Sequence, residues 1–303
     1  MRILVTADLH YDIARSREPA RGAAHDICAR GGDAVVLVGD TAGAQPGPLH
    51  EALELFAGFG GRKFIVAGNH CLWCRQGENS IQRYEKLLPA IAAEHGFEML
   101  DQAPAVVGDV GFVGSVGWYD YSFRDESLGL PEAFYRVKMA PGAARYLGQH
   151  KDLVASHQGE LTERHLAMGA RWMDGVHVRM NMSDEQFLDM LNARLTEHLR
   201  QVSEQSRQVV AFIHHLPFHD LVPQNRPDRF AFAAAYMGAA KLGETLLACE
   251  KLTHVYCGHS HWPGRVRIGE VEVVNVGSTY VEKRIEELEI VPEAGSSGLG
   301  NGS

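Results

Sequence analysis

The stretch Arg2-Ile3-Leu4-Val5-Thr6-Ala7-Asp8-Leu9-His10 decides the fold class. A short, mostly apolar run leads directly into a carboxylate and an imidazole two residues apart. A run apolar at nearly every position is what a strand buried on both faces requires. The same design recurs four times. Residues 34–38 run into Gly39-Asp40, and residues 64–66 into Gly68-Asn69-His70. Residues 209–213 run into His214-His215, and residues 254–257 into Gly258-His259-Ser260-His261. In open α/β sheets, ligands gather outside the carboxyl ends of strands. Five polar motifs at five strand ends therefore point to one built site.

Helical patterns separate some of these strands. Leu49, Leu53, Phe56 and Phe59 share one face, as do Ile81, Tyr84, Leu87, Leu88 and Ile91. The clearest helix starts at Ser183, where Ser183-Asp184-Glu185-Gln186 fits a capping box. Phe187, Leu188, Leu191, Leu195, Leu199 and Val202 make its apolar stripe. Further strands are expected at 110–116, 265–268, 271–274 and 285–290, as one face of a second sheet, with a hairpin turn at Gly269-Glu270. The expected fold class is α/β: a two-sheet β-sandwich flanked by helices. Residues 1–291 read as one domain and 118–181 as an insertion bordering the site. The Gly/Ser-rich stretch 294–303 reads as a disordered tail. Within the insertion, Arg124 and Lys138 are candidates to meet a remote phosphate of a substrate.

Composition narrows the function. The chain has 303 residues and a formal net charge of −9. That balance, without a Lys/Arg run, argues against a nuclease or any protein that tracks nucleic-acid backbones. The five cysteines are an odd, scattered set and do not read as a disulfide framework. Cys71-Leu72-Trp73-Cys74 is a lone C-x-x-C; a zinc knuckle needs a second pair, which leaves a redox switch as its functional reading. No signal-peptide pattern precedes the first strand and no run is long enough to span a bilayer. The expectation is a cytoplasmic protein with no membrane partner.

The motif residues suit metal ligation. Asp8 and His10 lie two apart, so both side chains point to one side. Asp40 has lone pairs for two cations and is the natural bridge. Asn69 offers a neutral amide oxygen. His259 and His261 straddle one residue and can each serve a different ion. The pair His214-His215 leaves two candidates for one ligand. Two divalent ions less the charges of Asp8 and Asp40 leave a positive site, which attracts a phosphate. Such ions, about 3.5–4 Å apart, clamp the attacking and leaving oxygens and acidify a bridging water. His70 lies on the opposite chain phase from Asn69 and is free to bind a phosphate oxygen or protonate the leaving alkoxide.

Taken together, D-x-H, G-D, G-N-H, H and G-H-x-H resemble the calcineurin-like metallophosphoesterase superfamily. The resemblance implies that Asp8, His10, Asp40 and His261 bind one metal. It implies that Asp40, Asn69, His214 and His259 bind the other, with His70 as the catalytic histidine. It favours His214 over His215, with Pro217 soon after. The family usually has Asp or Glu after G-N-H; here Cys71 stands there, which bears on how His70 is oriented. The expected activity is phosphate-ester hydrolysis by a metal-bridging hydroxide, with two divalent ions (Mn, Fe or Zn) as cofactors. A phosphodiesterase acting on a small substrate is favoured. The alternatives are a phosphomonoesterase or protein phosphatase, and an inactive metal-binding scaffold of the same fold. The oligomeric state is left open.

Overall fold

Strands apolar on both faces need cover on both sides, and the chain supplies it with two stacked sheets and outer helices. The computed structural model describes residues 1–224 and 227–291, so the tail expected at 294–303 lies outside the described residues. The strands are β1 (Arg2–Thr6), β2 (Ala34–Val38), β3 (Arg62–Val66), β4 (Phe97–Met99), β5 (Ala105–Val107) and β6 (Val110–Ser115). They continue with β7 (Gln208–Ile213), β8 (Leu252–Cys257), β9 (Gly264–Ile268), β10 (Val271–Asn275) and β11 (Glu286–Glu289). One sheet has the order β11-β1-β2-β3-β4 and the other β5-β6-β7-β8-β10-β9.

Alternation along each strand fills two cores. Ile3, Val5, Val36, Phe64 and Val66 share one buried cluster with Val110, Phe112, Val210 and Phe212, which fills the space between the sheets. The rings of Phe64 and Phe112 meet edge to face at 5.3 Å across that interface. Burying such a side chain contributes about 2–3 kcal/mol. Leu4, Val35, Leu37 and Ile65 alternate onto the helix side, in a second cluster with Ala20, Ala24 and Ile27 of the helix Ala14–Arg30. The helix Asp184–Gln205 opens on the expected capping box, with Gln186 N–H donating to Ser183 Oγ at 3.2 Å and Ser183 N–H to Gln186 Oε1 at 2.9 Å. All six residues of its apolar stripe are buried.

Two expectations need correction, and one helix carries no signal in the sequence. The last strand does not join the second sheet: β11 pairs antiparallel with β1, with Leu288 opposite Ile3. Conversely β7 and β8 lie in the second sheet beside β6. Leu288 and Ile290 reach the inter-sheet cluster, which is lined from both sheets, so their alternation does not name the partner strand. Leu87 does not share the buried face of its neighbours. A five-residue π-turn, Arg83–Leu87, runs up to Pro89, which has no N–H to continue the α ladder, and Leu87 is turned outward. Finally, helix Ala14–Arg30 carries no strong apolar period, because its buried face is Ser16, Ala20, Ala23, Ala24 and Ile27.

Residues 118–181 connect β6 to helix Asp184–Gln205 through five short α-helices. Trp118, Tyr119, Tyr121, Phe134 and Tyr135 are fully buried there and pack as core. No helix among the described residues is long and apolar enough to cross a membrane.

Candidate metal centre

Strands β1, β2 and β3 are parallel, as are β7 and β8, and the residues just past their carboxyl ends meet between the two sheets. Three overlapping groups form: Asp8, His10 and His261; His10, Asp40 and His70; and Asp40, His214 and His259. In each, the donor atoms lie within 4.8 Å of one another. Asp40 Oδ2 stands 3.7 Å from His10 Nε2 and 3.5 Å from His214 Nε2. His261 Nε2 is 3.6 Å from Asp8 Oδ1 and 3.0 Å from His10 Nε2. Asn69 Oδ1 lies 3.2 Å from His214 Nε2. All seven candidate ligands are therefore brought together, with Asp40 common to two groups.

Backbone groups aim these side chains. His214 Nδ1 faces the Val38 carbonyl at 3.1 Å, which leaves Nε2 free towards Asp40 and Asn69. His259 Nε2 faces the Tyr236 carbonyl at 3.1 Å, which leaves Nδ1 towards the cluster. This carbonyl-to-imidazole support is how metal-binding histidines are held. His215 packs beside the cluster without joining it: its Nδ1 donates to the Val116 carbonyl at 2.8 Å, its ring lies 4.1 Å from that of His259 and 5.1 Å from that of Trp118, and it belongs to none of the three groups. Of the two adjacent histidines, His214 is the one in the cluster.

The motif glycines make room for ligands from other motifs. A Cβ on Gly39 would sit 2.1 Å from His214 Nδ1, and one on Gly68 would sit 2.1 Å from Asp40 Oδ1. Backbone strain gathers at the same place. Asp8, His10, Asp40, His259 and His261 all have φ between 45° and 69°. They are five of the eight non-glycine residues with positive φ among those described. Such conformations cost about 1–3 kcal/mol each and persist where a site over-determines them.

The electrostatics fit divalent cations. Burial pushes Asp8 up to about 7, helped by the charge of Asp40. Burial also opposes ionisation of Asp40, yet His214, His70 and His10 together hold its carboxyl well below the usual range. Burial opposes a charge on His214 too, but Asp40 and Asp8 raise it to about 9. Burial keeps His10 and His259 well below the usual imidazole range and lowers His261 to about 4. His10 Nε2 and His261 Nε2 approach to 3.0 Å, and His10 Nδ1 and His70 Nδ1 are buried without a partner. Two carboxylates, four imidazoles and one amide in this arrangement are a donor set for two divalent ions.

An insertion residue braces the set. Asp174 accepts from Asn69 Nδ2 at 2.9 Å and Trp73 Nε1 at 2.7 Å through one oxygen. Its other oxygen accepts from Tyr119 Oη at 3.1 Å and Trp172 Nε1 at 2.8 Å. Trp73 in turn stacks on His70, ring centroids 3.7 Å apart, and on His177 at 4.5 Å. So the ring of His70 is seated on an indole, where the family pattern offers a carboxylate at the position of Cys71. Cys71 itself is buried, and burial pushes its thiol up to about 11. Cys74 Sγ lies against the Leu72 carbonyl and Ser80. Both thiols are free, buried and structural in their contacts, which speaks against a redox pair.

A cavity of about 1040 Å³ opens onto the cluster. Asp40, Asn69, His70, His259 and His261 line its floor, and Met168, Trp172, Val222, Ala233 and Met237 line its walls. The insertion thus borders the site, through residues 167–174. Arg124 and Lys138 do not line this cavity: Lys138 is paired with Asp184, and Arg124 stands near Glu126 at 3.8 Å. Arg164, Arg171 and Arg229 line it instead. Other residues at the site carry no sequence signal. Tyr280 packs on the rings of His10 and His261 at 4.9 Å, and Lys283 Nζ donates to the Asp8 carbonyl at 2.6 Å. Each is a lone residue in an irregular stretch, without motif spacing.

The comparisons agree with this architecture. The structure is similar to that of phosphopantetheinyl hydrolase from Mycobacterium tuberculosis, with a TM-score of 0.68, 17% identity, and coverage of 92% of this chain and 89% of that one. It is also similar to TT1561 of Thermus thermophilus, with a TM-score of 0.53, 12% identity, and coverage of 94% and 97%. At such identities the likeness is one of fold. Among curated proteins none matches this chain by sequence. The model of the calcineurin-like phosphoesterases matches residues 1–263, and the chain belongs to that family.

Proposed function

We propose that this chain is a metal-dependent phosphodiesterase acting on a small phosphate ester. The observation that carries the reading is the sharing of Asp40 between two donor groups at the floor of a cavity of about 1040 Å³. In the proposal Asp8, His10, Asp40 and His261 hold one divalent ion, and Asp40, Asn69, His214 and His259 hold the other. Bound ions would supply Lewis-acid stabilisation of phosphoryl charge and a water acidic enough to attack at neutral pH. Manganese, iron and zinc all suit such mixed nitrogen and oxygen donors.

The chain's own groups do the rest. His70 lines the cavity, with Nε2 4.0 Å from Asp40 Oδ2, and its seat on Trp73 fixes the ring plane. From there it binds a phosphoryl oxygen or gives a proton to the leaving alkoxide. The lateral room of the cavity supports a diester, whose phosphorus bears two arms, over a bare monoester. The intact ligand set supports an enzyme over a scaffold.

The test is hydrolysis of bis(p-nitrophenyl) phosphate beside p-nitrophenyl phosphate by manganese-loaded protein, with Asp40→Asn as blank. Faster turnover of the diester, abolished in Asp40→Asn, is expected. Preference for the monoester would make the protein a phosphatase. Full activity in Asp40→Asn would refute the ligand assignment. The similar fold of a phosphopantetheinyl hydrolase adds one natural type of ester to the panel.

A further inference from the structure

We propose that the substrate's second arm is extended and largely apolar and carries an anionic group at its far end. This deepens the phosphoesterase reading of the same cavity and rests on it. Size is the first argument. A volume of about 1040 Å³ lies at the upper end of what drug-sized ligands occupy, far beyond what one phosphate fills. The second is wall chemistry. Met168, Val222, Ala233 and Met237, from three separate segments, turn apolar surface to the cavity. Met173, Phe230 and Trp262 line it while 42%, 48% and 53% exposed, so the apolar lining continues to the mouth. Exposed apolar surface continuous with a pocket marks a ligand path.

Apart from Arg171 and Arg229, the polar side chains among these walls are engaged. Arg164 binds Asp228 through two bonds of 2.8 Å. Asp174 accepts from four donors. Ser260 Oγ accepts from Asn275 Nδ2 at 2.7 Å. A sugar-like or peptide-like arm would lose its water here with little in return. An alkyl or aryl arm loses none.

The third argument is charge. Arg171 and Arg229 line the cavity, and both are exposed. Among the described residues neither faces a carboxylate in an ion pair. The Arg229 guanidinium instead lies 4.9 Å from the Phe230 ring centroid, which parks it on the apolar rim. In a chain of net charge −9, two uncompensated cations at one mouth form a complementary surface for a second anion.

The experiment is calorimetric titration of the manganese-loaded full chain with methylphosphonate, hexylphosphonate and 6-phosphonohexanoate. Phosphonates are not turned over, so affinity reads the pocket alone. Hexylphosphonate should bind about thirtyfold tighter than methylphosphonate, half the value for fully burying the added methylenes. The carboxylate tail should add about fivefold, as an exposed ion pair does. The double variant Arg171→Ala, Arg229→Ala should bring the tailed ligand down to the affinity of hexylphosphonate. Equal affinities for the methyl and hexyl ligands would overturn the apolar arm. No gain from the tail, or a gain that survives in the double variant, would overturn the anionic end. Turnover of the matching p-nitrophenyl esters is followed in parallel. An affinity gain without turnover of any ester would sink the phosphoesterase reading and leave the arm standing.

Discussion

Asp174 shows how much a single buried carboxylate can organise. It has no hydrogen-bonding capacity to spare for metal or substrate, because four donors converge on it. Two of those donors belong to Asn69, a candidate ligand, and to Trp73, the seat of His70. Asp174→Asn turns one acceptor oxygen into an amide donor facing donors. Metal affinity is expected to fall about 10–100-fold, the range found when a group supporting a metal ligand is removed. Titration of manganese into the metal-free variant, with circular dichroism to check the fold, measures this. Unchanged affinity would remove Asp174 from any positioning role. Gly68→Ala tests the same geometry from the backbone. Its Cβ would lie 2.1 Å from Asp40 Oδ1, so the shared carboxylate must shift. Metal content per chain should drop, with a stability loss of about 1–3 kcal/mol from overpacking. A fully loaded variant would mean that the close approach is dispensable. The seven motif residues are legible in sequence because strand ends and two-residue spacings leave few places for them to point. Asp174 is not, because an aspartate in an aperiodic stretch looks like any surface aspartate.

At the scale of elements, what matters is how strand ends from different sheets are kept in register. Asp101, just beyond β4, accepts from Ala67 N–H at 2.8 Å past β3 and from Val116 N–H at 2.6 Å past β6. It also accepts from Tyr84 Oη at 3.1 Å. It therefore ties the first sheet to the second two residues before Asn69. Burial raises its carboxyl to about 6, against the pull of those three donors. A carboxyl raised in the folded state contributes stability below its unfolded pKa and loses it as pH rises through the folded value. The window is about pH 4 to 6, and the loss is about 3 kcal/mol. Asp101→Asn carries no such titration. The difference in unfolding free energy between wild type and variant, from urea denaturation, should change across that window and stay flat above it. A constant difference throughout would contradict the assignment. Elements themselves were legible where residue pattern was strong. The capping box at Ser183 and the β-branched runs gave true elements. Helix Ala14–Arg30 escaped because alanine buries well without standing out as apolar, and Leu87 because a π-turn shifts the helical phase.

At the scale of the whole molecule, sequence periodicity gives two sheets but not their membership. Leu288 reads equally well on either sheet, and only pairing with Ile3 places β11 in the first. That pairing closes the sheet next to the strand that carries Asp8 and His10. Besides the tie through Asp101, the two sheets meet at the candidate metal centre. Asp8, His10, Asp40 and Asn69 come from the first, and His214, His259 and His261 from the second. A metal held there by Asp8, Asp40 and the histidines around them would join the halves of the sandwich and offset the burial of two carboxylates. Because the unfolded chain does not hold these groups together, binding must stabilise the fold by mass action. At a free concentration a hundred times the dissociation constant, the gain is about 2.7 kcal/mol. For a chain of this length that corresponds to a rise in Tm of roughly 4–6 °C. Thermal unfolding should therefore show a lower Tm after chelation, restored by manganese, iron or zinc and not by magnesium, which prefers all-oxygen shells. The Asp40→Asn variant should show no such shift. A Tm indifferent to chelation, in protein shown by elemental analysis to have carried two metals per chain, would mean that the unfolded chain binds the ions as tightly as the folded one, and that the folded strand ends do not form the preorganised centre assigned to them.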